Sequence, residues 1–146
     1  MTDADHPVLA TRGSVLRTPP SGAFSLTRYE PSATLAPWAV QLWRVAWDLG
    51  DGPPHVQVTL PHPSPHVSVD EDGVARLYGP PTERFERTLA GRGWALGVRW
   101  RPGALRPLLG APIRDIADRV LPAGTLAGLD GNALAAAVSH SPGAFR

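Results

Sequence analysis

Proline and glycine residues divide this chain into short segments, and they limit its fold more than any other feature. The 146 residues include 17 prolines and 15 glycines. Proline removes a backbone hydrogen-bond donor and glycine weakens a helix interior, so long uninterrupted helices are excluded. The segments between the Pro and Gly clusters are therefore expected to be short strands joined by turns, with short helices.

Alternation of side-chain type identifies the strands, because successive side chains point to opposite faces of a sheet. Residues 38–49 are predicted to form a long strand with Trp43 and Trp47 on one buried face. Residues 94–101 form the clearest strand, with large apolar side chains at even positions and small residues or arginines at odd positions. Further strands are predicted at residues 55–60, 66–70, 74–78 and 82–89.

The order of these elements predicts a mainly β fold with short helices. We expect a small antiparallel β-barrel or half-barrel, cupin-like in shape, with C-terminal helices packed at one end. Three regions follow from the pattern: a flexible N-terminal arm at residues 1–25, a β-barrel domain at residues 26–110, and a helical connector with a C-terminal tail at residues 111–146.

Two helical segments are predicted in the connector. Ile113, Ile116 and Val120 have the spacing of one helix face after Pro112, which suits a first helical position. A last helix is expected over about residues 130–139, with Asp130 or Asn132 as its cap.

Charge and residue usage exclude several classes of function. The 14 basic residues, all arginine, oppose 13 acidic ones for a formal charge of +1, which is not the balance of a polybasic nucleic-acid binder. Without lysine there is no Schiff base or P-loop, and without cysteine there is no disulfide or thiolate site. No signal peptide or membrane span is visible, so a soluble cytoplasmic protein is the default expectation.

No pattern typical of catalysis is present. The chain lacks a Gly-x-Ser-x-Gly turn. His55, His62 and His66 could collect a metal, but they lack the spacing of cupin ligands, and the alternative is that they are exposed or hydrogen-bonded neutral imidazoles. We therefore expect no enzyme, no catalytic residue, no metal and no cofactor.

A ligand site is suggested by the odd positions of the strand at residues 94–101. Small residues on the inward face of a barrel leave a cavity, and arginines at its mouth can bind an anion bidentately. The alternative is that this face is simply the outer one, with its arginines in water. Tryptophans at core-facing spacing can also line a pocket. The candidate ligand-binding residues are Arg99, Arg101, Trp43 and Trp47.

Several blocks of the sequence resemble the N-terminal domain of AraC-type transcription regulators. The most specific block is Gly-Val-Arg-Trp-Arg-Pro-Gly at residues 97–103. Supporting blocks occur in the same order at residues 29–38, 60–63, 77–93 and 108–128. The resemblance covers about residues 26–138.

This resemblance implies a sensor-type regulatory domain. We expect it to bind an unknown small-molecule effector, to dimerise through its C-terminal helices, or both, with Leu134 and Val138 at the helix contact. No helix-turn-helix region is present in this sequence, so DNA contact is expected only through such a region elsewhere, and no membrane partner is expected. The alternatives are a stand-alone protein-interaction module without ligand and a small cupin-like enzyme.

Overall fold

A computed structural model describes residues 14–15 and 23–139, with side chains described for residues 23–137. The strands in this part of the chain are β1 (Ser14–Val15), β2 (Phe24–Tyr29), β3 (Ala39–Asp48), β4 (His55–Thr59), β5 (His66–Asp70), β6 (Ala75–Tyr78), β7 (Phe85–Leu89), β8 (Arg92–Trp100) and β9 (Val120–Pro122). The helices are α1 (Arg106–Leu109) and α2 (Gly131–Ser139), with 3₁₀ turns at Ile113–Ile116 and Ala123–Thr125.

The strands form two antiparallel sheets. The smaller sheet has the order β1-β4-β7, and the larger sheet has the order β2-β3-β8-β5-β6-β9. The mainly β, antiparallel fold predicted from the sequence is confirmed. The described strands do not close into a barrel. The two sheets instead form an open, cupin-like sandwich, which is the half-barrel form of the prediction.

The outer face of the larger sheet carries the hydrophobic core. Val67, Val69 and Leu77 project from β5 and β6 on this face and are almost fully buried. They pack against the segment that follows β8, through the buried side chains of Leu105, Ile116, Ala123, Leu126 and Ala135. The C-terminal segment therefore covers the outer face of the larger sheet around β5 and β6, and the inner face of the sheet is turned towards the smaller sheet.

On the inner face, two tryptophans lie directly against glycines of the neighbouring strand. Trp43 on β3 pairs with Gly97 on β8, and Trp47 pairs with Gly93. A Cβ atom on Gly97 would lie 2.5 Å from Trp43 Cζ2, and one on Gly93 would lie 2.2 Å from Trp47 Cζ2. Only glycine lets each indole lie this close to the backbone of β8.

Most predicted strands are present with small changes of boundary. The strand predicted at residues 82–89 begins only at Phe85, and Trp38 lies in a turn before β3 with an exposed side chain. The strand predicted at residues 94–101 ends at Trp100, so Arg101 lies beyond it.

The predicted helix through Ile113, Ile116 and Val120 is wrong. Ile113–Ile116 forms a 3₁₀ turn, and Val120 opens strand β9 with an exposed side chain. Between them Asp118 has a φ of 59°, a left-handed conformation that a continuous helix cannot include.

The last helix agrees with its prediction. Of the two candidate caps, Asp130 is used: its Oδ1 accepts hydrogen bonds from the N–H groups of Asn132 and Ala133. Leu134 is half-buried and packs against the core of its own chain. The side chain of Val138 lies outside the described residues. No helix in the described part of the chain is long and apolar enough to cross a membrane.

Part of the predicted N-terminal arm belongs to the sheets. Ser14 and Val15 pair with Thr59 and Val58 of β4, and β2 already begins at Phe24. The rest of the arm and residues 140–146 lie outside the described residues.

Candidate functional site

A cavity of about 560 Å³ lies between the inner faces of the two sheets. Its walls come from β2, β3, β5, β6 and β8 of the larger sheet and from β4 and β7 of the smaller one. We call it the inter-sheet cavity. Its volume falls within the range of about 300–1,000 Å³ that is usual for small-molecule sites.

The inter-sheet cavity has an apolar end and a polar end. The apolar end is formed by Phe24, Leu26, Val45, Trp47, Leu89 and Ala95. The polar end is formed by Arg28, Gln41, His62, His66 and Arg99. Strand register produces this order, because Phe24 pairs with Trp47 at one level while Gln41 pairs with Arg99 at the other.

A hydrogen bond between Trp43 and His66 determines the state of that imidazole. Trp43 Nε1–H donates to His66 Nδ1 at 3.1 Å, so the proton of the neutral ring is on Nε2. Burial, which has the largest effect, and the neighbouring His62 and Arg99 together lower the pKa of His66 to about 3. His66 is therefore a neutral hydrogen-bond donor at physiological pH.

His62 is a second neutral imidazole at this end. Its ring centroid lies 5.1 Å from that of His66, and its Nδ1 accepts the N–H of Ser64 at 3.3 Å. Burial and the charge of Arg99 lower the pKa of His62. The two imidazoles thus add donors to the polar end without adding charge.

Arg99 brings an unbalanced positive charge to the polar end. Its Nε atom is buried and has no hydrogen-bond partner within the described part of the chain. Burial lowers the pKa of Arg99, and among the described residues no carboxylate forms an ion pair with it. Burial and the charge of Arg99 also lower the pKa of Arg28, so two guanidinium groups add positive potential here.

Arg87 is the contrasting case, because its charge is balanced. Its Nη1 lies 3.1 Å from Asp70 Oδ2, which joins β7 of the smaller sheet to β5 of the larger. The guanidinium also lies over the Trp47 ring, 5.6 Å from its centroid. Burial raises the pKa of Asp70, while Arg87 and Arg76 oppose that rise. Arg87 therefore connects the sheets.

Three of the four residues predicted to bind a ligand line the inter-sheet cavity: Trp43, Trp47 and Arg99. Arg101 does not line it. Because β8 ends at Trp100, the alternation stops, and Arg101 Nε donates to the carbonyl of Ala36 at 2.9 Å on the surface. Trp47 is only 5% exposed and forms part of the wall, with its Nε1–H bonded to the carbonyl of Ala90.

The three histidines are divided between two places. His55 lies beside Phe24 with 6.5 Å between ring centroids, apart from the His62–His66 pair. Within the residues that the structure describes, no three His, Asp or Glu side chains are placed to hold a metal. Sequence reasoning missed the contact between His66 and Trp43 because the two residues lie far apart in the chain. It missed the positions of Arg28 and Gln41 in the cavity wall for the same reason.

The rim of the inter-sheet cavity is tied to the C-terminal segment. Asp118 accepts hydrogen bonds from the N–H of Thr82, at 2.7 Å, and from its hydroxyl. Gly79 passes so close to Ile116 that a Cβ atom would lie 1.7 Å from the Ile116 carbonyl oxygen. A movement of the rim would therefore directly displace the segment that leads to α2.

Residues 27–122 match a family model described as Domain of unknown function (DUF6597). This span contains β3 to β9 and half of β2, and so nearly all of the cavity wall. No curated protein and no solved structure matches the chain.

Proposed function

Because the chain belongs to the family described as a domain of unknown function (DUF6597), which names no activity, we propose its function from the site geometry. It is the regulatory, sensor-type domain of an AraC-type transcription regulator, and it binds a small-molecule effector between its sheets. The observation that carries this proposal is the inter-sheet cavity itself, with one apolar end and one end of convergent donors. The sequence blocks described above supply the link to AraC-type regulators.

A route from ligand to the C-terminal helices supports a regulatory role. Strand β6 separates the cavity from the core: Tyr78 lines the inter-sheet cavity, while Ala75 and Leu77 face the core. Gly131, at the start of α2, is so close that a Cβ atom there would touch the methyl group of Ala75 at 3.6 Å. A ligand that displaces Tyr78 would shift β6, and it would thereby shift the surface on which α2 packs.

Dimerisation through the C-terminal helices remains part of the proposal. Leu134 is half-buried in its own chain, so part of its surface is left for a partner. In this arrangement the effector changes the position of α2, and α2 changes the contact between two copies. DNA contact would come from a helix-turn-helix region outside this sequence.

A thermal-shift screen against fractionated metabolite pools tests the proposal. Ala95→Leu is the test variant, because Ala95 is buried on the cavity wall and a leucine side chain would fill part of the space. Ala127→Leu, at an exposed position, is the matched control. Compounds that raise the Tm of the wild type and of Ala127→Leu should fail to do so with Ala95→Leu.

Two results would contradict this function: no pool stabilises the wild-type chain, or the stabilisation is unchanged in Ala95→Leu.

An interaction module without ligand is then the better explanation. It is favoured by two exposed apolar side chains, Val56 on β4 and Leu60 just after it, each 44% exposed. That module predicts self-association in light scattering that does not change when small molecules are removed.

A further inference from the structure

We infer that the inter-sheet cavity takes a carboxylic acid with a compact apolar body. The carboxylate binds Arg99 at the polar end, and the body lies along Trp43 towards Phe24. This inference rests on the proposed function, since it names the chemical class of the effector.

The first argument is the unpaired charge of Arg99. Several other arginines in the described part of the chain have carboxylate partners, as in the pairs Arg76–Asp72, Arg87–Asp70 and Arg92–Asp48. Arg99 has none there, although its Nε atom is buried. A half-buried cation whose Nε atom lacks a hydrogen-bond partner carries a desolvation cost, and a bound anion would reduce that cost.

The second argument is the shape of the donor set. A guanidinium group presents two parallel N–H donors that match the two oxygens of a carboxylate. Gln41 and His66 are the cross-strand neighbours of Arg99 on either side, and they supply an amide and a neutral N–H group. Since both imidazoles are neutral, only Arg28 and Arg99 carry charge among the five residues that form this end, which suits an anion of low charge.

The third argument is the apolar end. From Trp43 the wall continues through Val45, Leu26 and Phe24, and no unpaired charge is found along this line in the described residues. A sugar phosphate would place hydroxyl groups against these side chains without partners, and a fully apolar ligand would leave Arg99 unpaired. An acid with a compact apolar body satisfies both ends.

Calorimetric titration with matched probes tests this inference. The probes are 1-naphthoate and octanoate, their neutral primary amides, and inorganic phosphate. Each acid that binds should do so about 10- to 100-fold more tightly than its amide, which corresponds to the loss of one charge-assisted hydrogen-bonded pair. Inorganic phosphate should bind more weakly than the acids, because it has no apolar body.

Arg99→Gln is the test variant and Arg101→Gln is its matched control. Both remove one positive charge at the same end of β8, but Arg101 lies outside the cavity. Arg99→Gln should lose the preference for acid over amide, whereas Arg101→Gln should retain it. Arg99→Lys keeps the positive charge but lacks the two parallel N–H donors of a guanidinium group, so its preference for acid over amide should be intermediate. Ligand-free Arg99→Gln should be no less stable than the wild type, because it removes a half-buried charge that has no carboxylate partner among the described residues.

The outcomes separate this inference from the proposed function. If amides bind as tightly as acids, or if Arg99→Gln binds acids normally, the inference is wrong and the cavity remains a small-molecule site. If phosphate binds as tightly as the acids, an adventitious ion site is the correct description. If neither acids nor amides bind, but a compound from the metabolite pools stabilises the wild type and not Ala95→Leu, only the inference fails. If no compound binds at all, both fail.

Discussion

At the residue scale, the contact between Trp43 and Gly97 shapes the inter-sheet cavity. The glycine allows the indole to lie against β8, and the indole in turn donates its N–H to His66. A larger residue at position 97 would push the ring into the cavity and break that hydrogen bond. One missing side chain thus controls both the volume of the cavity and the state of an imidazole.

We expect Gly97→Ala to destabilise the protein by about 1–3 kcal/mol, as overpacking does in a close-packed interior. The new Cβ atom would lie 2.5 Å from Trp43 Cζ2 and 2.9 Å from the carbonyl oxygen of Val67, which is backbone and cannot move away alone. Urea denaturation measures the change. Gly124→Ala is the control, because its Cβ atom meets nothing closer than 3.7 Å. Equal effects at both glycines would argue against this packing.

His66 predicts a loss of stability in acid. Its pKa is about 3 in the folded chain and near 6.5 when unfolded, so the unfolded chain binds more protons between these values. The contribution of neutral His66 to the free energy of unfolding is therefore fully present above about pH 6.5, and it declines as the pH falls towards 3. Each pKa unit of difference corresponds to about 1.4 kcal/mol. Denaturation at several pH values should show a shallower decline for His66→Asn, and an identical slope would contradict the shift.

At the element scale, β8 separates two different environments. Val98 and its even-numbered neighbours face the core, while Ala95, Gly97 and Arg99 face the inter-sheet cavity. Strand β6 continues this division, with Leu77 towards the core and Tyr78 towards the cavity. The wall between the inter-sheet cavity and the helices is therefore a single strand layer, which is thin enough to transmit a displacement.

The docking of the C-terminal segment on β6 depends on Gly79. In Gly79→Ala the Cβ atom would lie 1.7 Å from the carbonyl oxygen of Ile116, so one backbone must move away from the other. We expect faster amide hydrogen exchange through residues 113–126 and a stability loss of about 3 kcal/mol or more. Gly124→Ala should leave exchange in this segment unchanged. Normal protection in Gly79→Ala would show that the contact is not needed.

At the scale of the whole molecule, the ion pair of Arg87 with Asp70 holds the two sheets across the inter-sheet cavity. The Asp70 side chain is buried and the Arg87 side chain is partly exposed, so this pair lies between a surface and a buried ion pair. Arg87 also lies over the ring of Trp47. The opening between the sheets is thus set by one arginine that reaches from β7 to β5.

Arg87→Gln should destabilise the protein by about 1–3 kcal/mol at neutral pH, a value reduced from that of a fully buried pair because Arg87 is partly exposed. The variant leaves the Asp70 carboxylate short of a partner, and the raised pKa of Asp70 should rise further. Protonation of Asp70 then relieves the cost, so the defect should shrink as the pH falls. Thermal denaturation across pH measures this.

Arg92→Gln is the control for Arg87→Gln. Arg92 pairs with Asp48 on the surface, where the two side chains are 80% and 51% exposed. Its loss should cost less than about 1 kcal/mol. An equal cost for the two variants would argue that Arg87 does not join the sheets.

Local patterns in the sequence located most of the strands, although β9 begins within a predicted helix and β1 lies in the predicted N-terminal arm. Alternation located β3 and β8, and Asp130, one of the two candidate caps, located the start of α2. These features depend on neighbours in the chain, so a single sequence contains them. The AraC-type resemblance and the effector stay predictions that the binding experiments must test.

Only the tertiary structure decided which face of β8 is the inner one. Alternation assigns the residues of a strand to two faces, but the pattern is the same whichever face is turned inwards. The sequence was therefore equally consistent with Arg99 in water and with Arg99 in a cavity. The packing of the C-terminal segment on the face of Val98 resolved this and turned Arg99 inwards. The bond from Trp43 to His66 and the pair of Arg87 with Asp70 likewise join residues far apart in the chain. A cavity arises from the packing of two sheets, and no local pattern encodes that packing.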